Sequence, residues 1–137
     1  MKLLRVLPVL AVALVASAAL TTHSLSAQST GPYTAAQASA GAAIFAAQCS
    51  VCHGSKLEGG AGPQLAGPDF MAKWTGQTAD DVRDIVATQM PLTSPGSLKP
   101  DEVLDVVSYI LQQNKYPAGD APLTAAKTKT VKIAKQG

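Results

Sequence analysis

Cys49-Ser50-Val51-Cys52-His53 is the stretch whose reading decides this chain. A C-x-x-C-H run is the attachment pattern of a c-type haem. The spacing follows from the chemistry. Two thiols must each reach a vinyl group of the same porphyrin, and the next residue must turn its imidazole back to the iron as the proximal ligand. Two other chemistries use a C-x-x-C pair. A structural zinc site draws about four N or S ligands, and the chain has no second pair, because its cysteines number 2. A thioredoxin-like redox motif belongs beside a βαβ pattern, and none is visible around this one. Cys49 and Cys52 are therefore the expected covalent anchors of one haem c, with His53 as its proximal ligand.

Upstream, Met1-Lys2-Leu3-Leu4-Arg5 is a positive n-region, followed by an apolar run from Val6 to Leu20 and small or polar residues from Ser24 to Ala27. This is the layout of a secretory signal peptide. Cleavage is expected after Ala27, with Ala18 and Ala19 as alternatives. An uncleaved anchor is the competing reading, but a span needs about 20 apolar residues and this run is shorter. Export makes the chain periplasmic, soluble once cleaved and without stable membrane insertion, or membrane-anchored in the alternative. Outside the cytoplasm a bare C-x-x-C tends to oxidise, so the thiols must stay reduced until haem is attached. The organisation expected is a signal peptide over 1–27, a leader over 28–33, one haem-binding domain over 34–119 and a basic tail over 120–137. The tail spaces Lys127, Lys129, Lys132 and Lys135 among small residues and is expected to be flexible.

The chain carries 11 Lys+Arg and 9 Asp+Glu; loss of Lys2 and Arg5 would leave 9 bases against those 9 acids. A near-neutral chain with no basic patch interleaved with aromatics excludes nucleic acid as a partner. Aromatics make up only 4% of the residues, which leaves little large apolar surface for a core. So small a domain usually needs a staple, and a covalently held haem would serve as one.

Downstream of the leader, Thr34 and Gln37 fit a capping box and open an Ala-rich helix that runs to the haem motif. Gly41 inside that helix costs about 1 kcal/mol relative to Ala, which points to a close approach by another element, with Phe45 one turn on. The Gly-rich segment from Gly54 to Pro63 reads as a loop, with Leu65 beyond it facing the porphyrin. Asp69 to Thr75 reads as a short helix carrying Phe70 and Trp74 on one face. Thr78 opens a further helix with Asp80 and Asp81 in its first turn and a stripe of Val82, Ile85, Val86 and Gln89. Capping and solvation account for Asp80, Asp81 and Asp84 better than acid–base chemistry does. Pro100 fits the first position of a last helix, whose apolar stripe is Val103, Val106, Val107, Ile110 and Leu111.

The second axial position is constrained by elimination. The chain's 2 histidines are His23 and His53, and His23 lies in the expected signal peptide. The remaining soft donors are the thioethers of Met71 and Met90. Met71 sits within a helix, where Met commonly fills a gap. Met90 stands at a helix end, and Pro91 after it forces extended backbone. Met90 is the preferred distal ligand, Met71 the alternative, and an open or Lys-ligated iron the remainder.

These residues together resemble class I cytochromes c, and among them the small bacterial monohaem proteins. The resemblance runs through Gly41 and Phe45, Cys49-x-x-Cys52-His53, Gly62-Pro63-x-Leu65-x-Gly67, Phe70 and Trp74, Met90-Pro91, Pro95-Gly96-Ser97-Leu98 and Tyr109-Ile110-Leu111. It implies an all-α fold of three to five short helices wrapped around one covalently bound haem, with the cytochrome c domain over 34–119. It also implies that the first and last helices cross at Gly41, Phe45 and Tyr109. In such a fold the Pro63 carbonyl accepts a hydrogen bond from the His53 ring, Leu65 lines the haem pocket, and Trp74 lies near a propionate or serves as plain core.

The function expected is a periplasmic one-electron carrier between a dehydrogenase or other respiratory donor and an oxidase or other acceptor, rather than an enzyme. The alternative is a haem-containing subunit of a quinoprotein dehydrogenase or terminal oxidase complex. A haem enzyme or gas sensor would need an open iron position and, for peroxide cleavage, a distal acid or base. With no second histidine beyond His23, and Arg83 the arginine outside the signal segment, that machinery is missing.

Overall fold

The computed structural model describes residues 29–136; the segment 1–27, read as a signal peptide, lies outside them. Six helices follow in order: α1 (Ala35–Gln48), α2 (Ser50–His53), α3 (Pro68–Trp74), α4 (Ala79–Gln89), α5 (Pro100–Gln113) and α6 (Ala125–Thr128). The all-α expectation is met, and among the described residues the only extended pairing is in isolated bridges. The count exceeds three to five because α2 and α6 are single turns of 4 residues each, too short to carry a periodic apolar signal.

The helix starts are set locally. Thr34 and Gln37 cap each other reciprocally at α1, and Thr78 and Asp81 do the same at α4. These pairs satisfy amide groups that the first turn leaves without partners. Asp81 thereby loses its place in any acidic cluster: its carboxylate accepts from the Thr78 amide at 2.7 Å, which holds it below the usual carboxylate range. Asp80 is turned to Arg83, whose Nε lies 2.6 Å from Oδ1.

The crossing of α1 over α5 is the main packing contact. At Gly41 the space where a Cβ would stand is filled by the backbone of Asp105 in α5, so no residue with a side chain fits without moving one helix. One turn along, the rings of Phe45 and Tyr109 meet at 5.4 Å with a 56° tilt, a favoured aromatic arrangement. Val103, Val106, Val107, Ile110 and Leu111 are all buried along α5, as the stripe requires. Asp105 lies among these contacts; burial pushes its carboxyl up, and Asp101 and Glu102 add to the shift.

The described part of 28–33, read as a leader, is anchored to the domain: Tyr33 is buried and its hydroxyl donates to the Tyr116 carbonyl at 2.5 Å. Burial raises the pKa of that phenol. The tail 120–136, expected to be flexible, packs back onto the domain with Leu123, Thr128 and Ile133 buried. Its lysine-rich composition gave no amphipathic stripe, because its anchors are two isolated apolar residues and a set of backbone hydrogen bonds.

Candidate functional site

The haem motif begins where α1 ends. Cys49 is the residue that α1 and α2 share as a cap, and the helical turn of α2 carries Cys52 and His53. Cys49 and Cys52 are not bonded to each other, and both are half-buried. Burial pushes the Cys49 thiol up, and Cys52 beside it adds to the shift. Among the described residues no three His, Cys, Asp or Glu side chains converge to hold a metal ion, so the motif does not gather as half of a zinc site.

Below the motif lies a cavity in two lobes, about 240 Å³ and 190 Å³. The lobes share six lining residues: His53, Pro63, Leu65, Val86, Met90 and Ile110. Cys49 and Cys52 line the first lobe, together with the buried core residues Phe45, Val106 and Leu98. No Asp, Glu, Lys or Arg lines that lobe. Trp74 lines the second lobe beside Phe70 and Lys73. It is also core, only 7% exposed, with its ring 6.2 Å from Phe70 and Lys73 Nζ 5.0 Å above it.

His53 is buried and held from one side. Its Nδ1 lies 2.7 Å from the Pro63 carbonyl, the contact that the resemblance implied. With Nδ1 engaged as donor, Nε2 is the nitrogen that could hold a metal. Gly62 permits this arrangement, since a Cβ there would come within 2.8 Å of the imidazole Cε1. The loop between α2 and Pro63 is braced by its own backbone. The Gly59 amide donates to the His53 carbonyl at 2.8 Å, the Gly62 amide to the Cys52 carbonyl at 2.8 Å, and the Leu65 amide to the Leu57 carbonyl at 2.9 Å.

Asn114 is the residue sequence reasoning missed. In the structure it is buried, and its amide nitrogen donates to the carbonyls of Leu65 and Ile110, each at 2.9 Å. Its oxygen accepts from the Gly67 amide at 3.1 Å. One side chain thus clamps the 65–67 segment to the end of α5. The sequence signal was an Asn after an apolar stripe, which is equally the mark of an ordinary helix stop.

Met90 is the cap residue that ends α4, in extended backbone, and its side chain lines both lobes. Met71 lines neither lobe and packs against the core from α3. The cavity therefore places an imidazole, a thioether and two thiols around one apolar space. An apolar space with these donors suits a porphyrin, whose flat face needs apolar walls and whose iron needs an imidazole.

An all-α domain with C-x-x-C-H at the end of its first helix, over an apolar cavity, has the architecture of a small c-type cytochrome. Residues 36–110 match the family described as cytochrome C oxidase, cbb3-type, subunit III. The chain belongs to that family of c-type cytochromes. It is also similar to a chain in the crystal structure of the sulfane dehydrogenase SoxCD from Paracoccus pantotrophus, with a TM-score of 0.59 and 27% identity. That likeness covers 70% of this chain and 52% of the other, so the chain spans about half the length of its structural neighbour. No curated protein matches the chain. Membership of the family brings one covalently bound haem c and a role in electron transfer. Among the described residues no helix is long and apolar enough to cross a membrane.

Proposed function

We propose that the chain is a periplasmic one-electron carrier whose haem is held between His53 and Met90. It would pass electrons from a dehydrogenase or other respiratory donor to an oxidase or other acceptor. The observation that carries this reading is that His53 and Met90 line the same two lobes of one cavity, whereas Met71 lines neither.

The haem supplies a one-electron ferric/ferrous couple. The chain's residues bind it, orient it and exclude water. Cys49 and Cys52 would tie it through two thioether bonds, while the Pro63 carbonyl fixes the rotation of the His53 ring. Leu65 would press on the porphyrin plane, and Trp74 would stand near a propionate, with Lys73 close by. The Met90 thioether is a soft donor that favours ferrous iron, and a His/Met pair raises the reduction potential. The uncharged wall of the first lobe penalises the extra charge of the ferric state, which shifts the potential in the same direction. With His53 and Met90 both holding the iron, little would have to rearrange on electron transfer. Weak and transient docking suits such a carrier, because each partner has to be released.

A second reading is a haem-bearing unit within a dehydrogenase or terminal oxidase assembly. The likeness to a chain of SoxCD, described as a sulfane dehydrogenase, favours it. Co-purification from the native host separates the two: a carrier comes away free, and a subunit brings its assembly with it.

Met90→Ala is expected to convert the ferric spectrum from low-spin towards high-spin or water-ligated. An unchanged Met-to-iron charge-transfer band in that variant would sink the assignment of Met90. The reduced protein should resist carbon monoxide. Rapid stoichiometric binding would instead favour a haem enzyme or gas sensor.

A further inference from the structure

Met90 ends α4, so the position of α4 along the cavity sets where the thioether lies. Along its buried face α4 rests on α5, and its first turns meet α6. The second of these contacts belongs to the segment 120–136, which lies beyond the part of the chain that matches the family. This segment runs back past the start of α4 and fastens it with backbone hydrogen bonds. The Ala79 amide donates to the Val131 carbonyl at 2.8 Å, the Ile133 amide to the Gln77 carbonyl at 2.8 Å, and the Gly76 amide to the Ile133 carbonyl at 2.9 Å. The far end of the segment is tied to the chain just beyond α5, where the Tyr116 hydroxyl accepts from the Ala134 amide at 2.7 Å.

One side-chain contact joins this segment directly to α4. Thr128 is fully buried, and its hydroxyl lies 2.8 Å from both Asp80 Oδ1 and the Ala125 carbonyl. A hydroxyl has a single proton to donate, and the charged acceptor makes the stronger bond. Thr128 therefore donates to Asp80. The same carboxylate oxygen receives Arg83 Nε, one turn further along α4.

We propose that residues 120–136 form a strap that holds α4 at the height where the Met90 thioether meets the haem iron, with Thr128 and Asp80 as positioning residues. The proposal rests on the reading of Met90 as the distal ligand. A strap of this kind acts on the ligand from a distance. It biases the equilibrium between a thioether in place and a thioether displaced, in addition to any contribution to the fold.

The test is a titration of the full-length ferric holoprotein with imidazole, followed by absorbance well below the unfolding temperature. Imidazole competes with the thioether for iron, so its apparent affinity reports how firmly the thioether is held. Thr128→Val, which keeps the shape and removes the hydroxyl, should raise that affinity about tenfold, the size of a lost hydrogen bond to a charged group. Thr128→Ser should restore it. A Thr128→Val protein that melts earlier but binds imidazole with unchanged affinity would show a purely structural strap and overturn the proposal. Failure of Thr128→Ser to restore the affinity would equally overturn the role of the hydroxyl. If Thr128→Val does not fold as holoprotein, Ile133→Val loosens the same strap by one methyl group. It should raise imidazole affinity by a smaller factor, and no rise overturns the proposal. Met90→Ala run in parallel identifies which idea has failed. A Met90→Ala protein with wild-type affinity and an intact charge-transfer band means that the ligand assignment is wrong and the strap falls with it. A shifted Met90→Ala protein beside an unshifted strap variant means that the strap alone is wrong.

Discussion

His53 and Met90 face the same cavity, yet the chain secures them by different means. On the His53 side the support is local and dense. The loop from Gly54 to Gly67 bonds to itself and to α2, the Pro63 carbonyl grips the ring, and Asn114 clamps the far end. On the Met90 side the following segment is sparsely held. Within it the Ser94 amide reaches the Pro91 carbonyl and the Ser97 amide reaches the Ser94 carbonyl, each a short-range turn bond. Most of its residues are exposed, Leu92 to 71%. The His53 wall is fixed where it stands, whereas the Met90 wall inherits its position from the helix before it. If Met90 is the distal ligand proposed above, it is the ligand that should yield first to a competitor.

The largest effect is expected on the dense side, where the covalent tie belongs. Replacing both Cys49 and Cys52 with Ala should leave no haem attached after denaturing extraction and electrophoresis with haem staining. Haem that survives such extraction would overturn the reading of the motif. Next comes Asn114→Ala, which strips the Leu65 carbonyl and the Gly67 amide of their partner. Leaving such groups unsatisfied costs about 1–3 kcal/mol each when buried, so denaturant unfolding should show a loss of about 2–3 kcal/mol. A loss within about 0.5 kcal/mol, the range of an ordinary surface change, would mean that the His53 wall does not depend on its clamp.

The smallest effect belongs to the start of α4. The Arg83 guanidinium, aided by the Thr128 hydroxyl, holds the Asp80 carboxyl below its usual range. A depressed folded value means that Asp80 stabilises the fold above the ordinary carboxylate pKa of about 3.9. That contribution is lost as pH falls through the lower folded value. The pair is partly exposed, with both side chains about a quarter accessible (26% for Arg83 and 25% for Asp80), so solvent screening limits it to about 1 kcal/mol or less. Asp80→Asn should therefore melt earlier than the native chain at neutral pH, with the gap closing in acid. A gap that persists unchanged at low pH would remove the ion pair from the account of how α4 is fastened.

How much of this was legible depends on the range of the interaction. Thr34 with Gln37, Pro100 and the α5 stripe are contacts within one or two turns, and such contacts leave periodic or adjacent marks in a sequence. Gly41 was legible too, as a misfit within a helix, and its partner was found among residues whose pattern also stood out. Asn114, Thr128 and Tyr33 were not. Each makes its decisive bond to a residue far along the chain, often to a backbone group whose identity leaves no trace. The strap failed to register for the same reason, since Leu123 and Ile133 stand alone among lysines and small residues. In the site, Cys49, Cys52, His53 and Met90 stand out by their own chemistry and Pro63 through the family resemblance, whereas the clamp at Asn114 leaves no such mark.

The crossing at Gly41 has a consequence in time. Its two helices lie at opposite ends of the stretch that makes the domain, so they meet only after nearly all of that stretch is present. Contacts between such distant segments form late, because the chain must first close a long loop. Cys49, Cys52 and His53 follow directly on α1 and come off the ribosome, or across a membrane, before α5 does. During that interval the motif has no roof. Until α5 docks, the two thiols and the imidazole stand on the open side of α1 and α2, so the segment that closes the pocket is also the one that ends access to them.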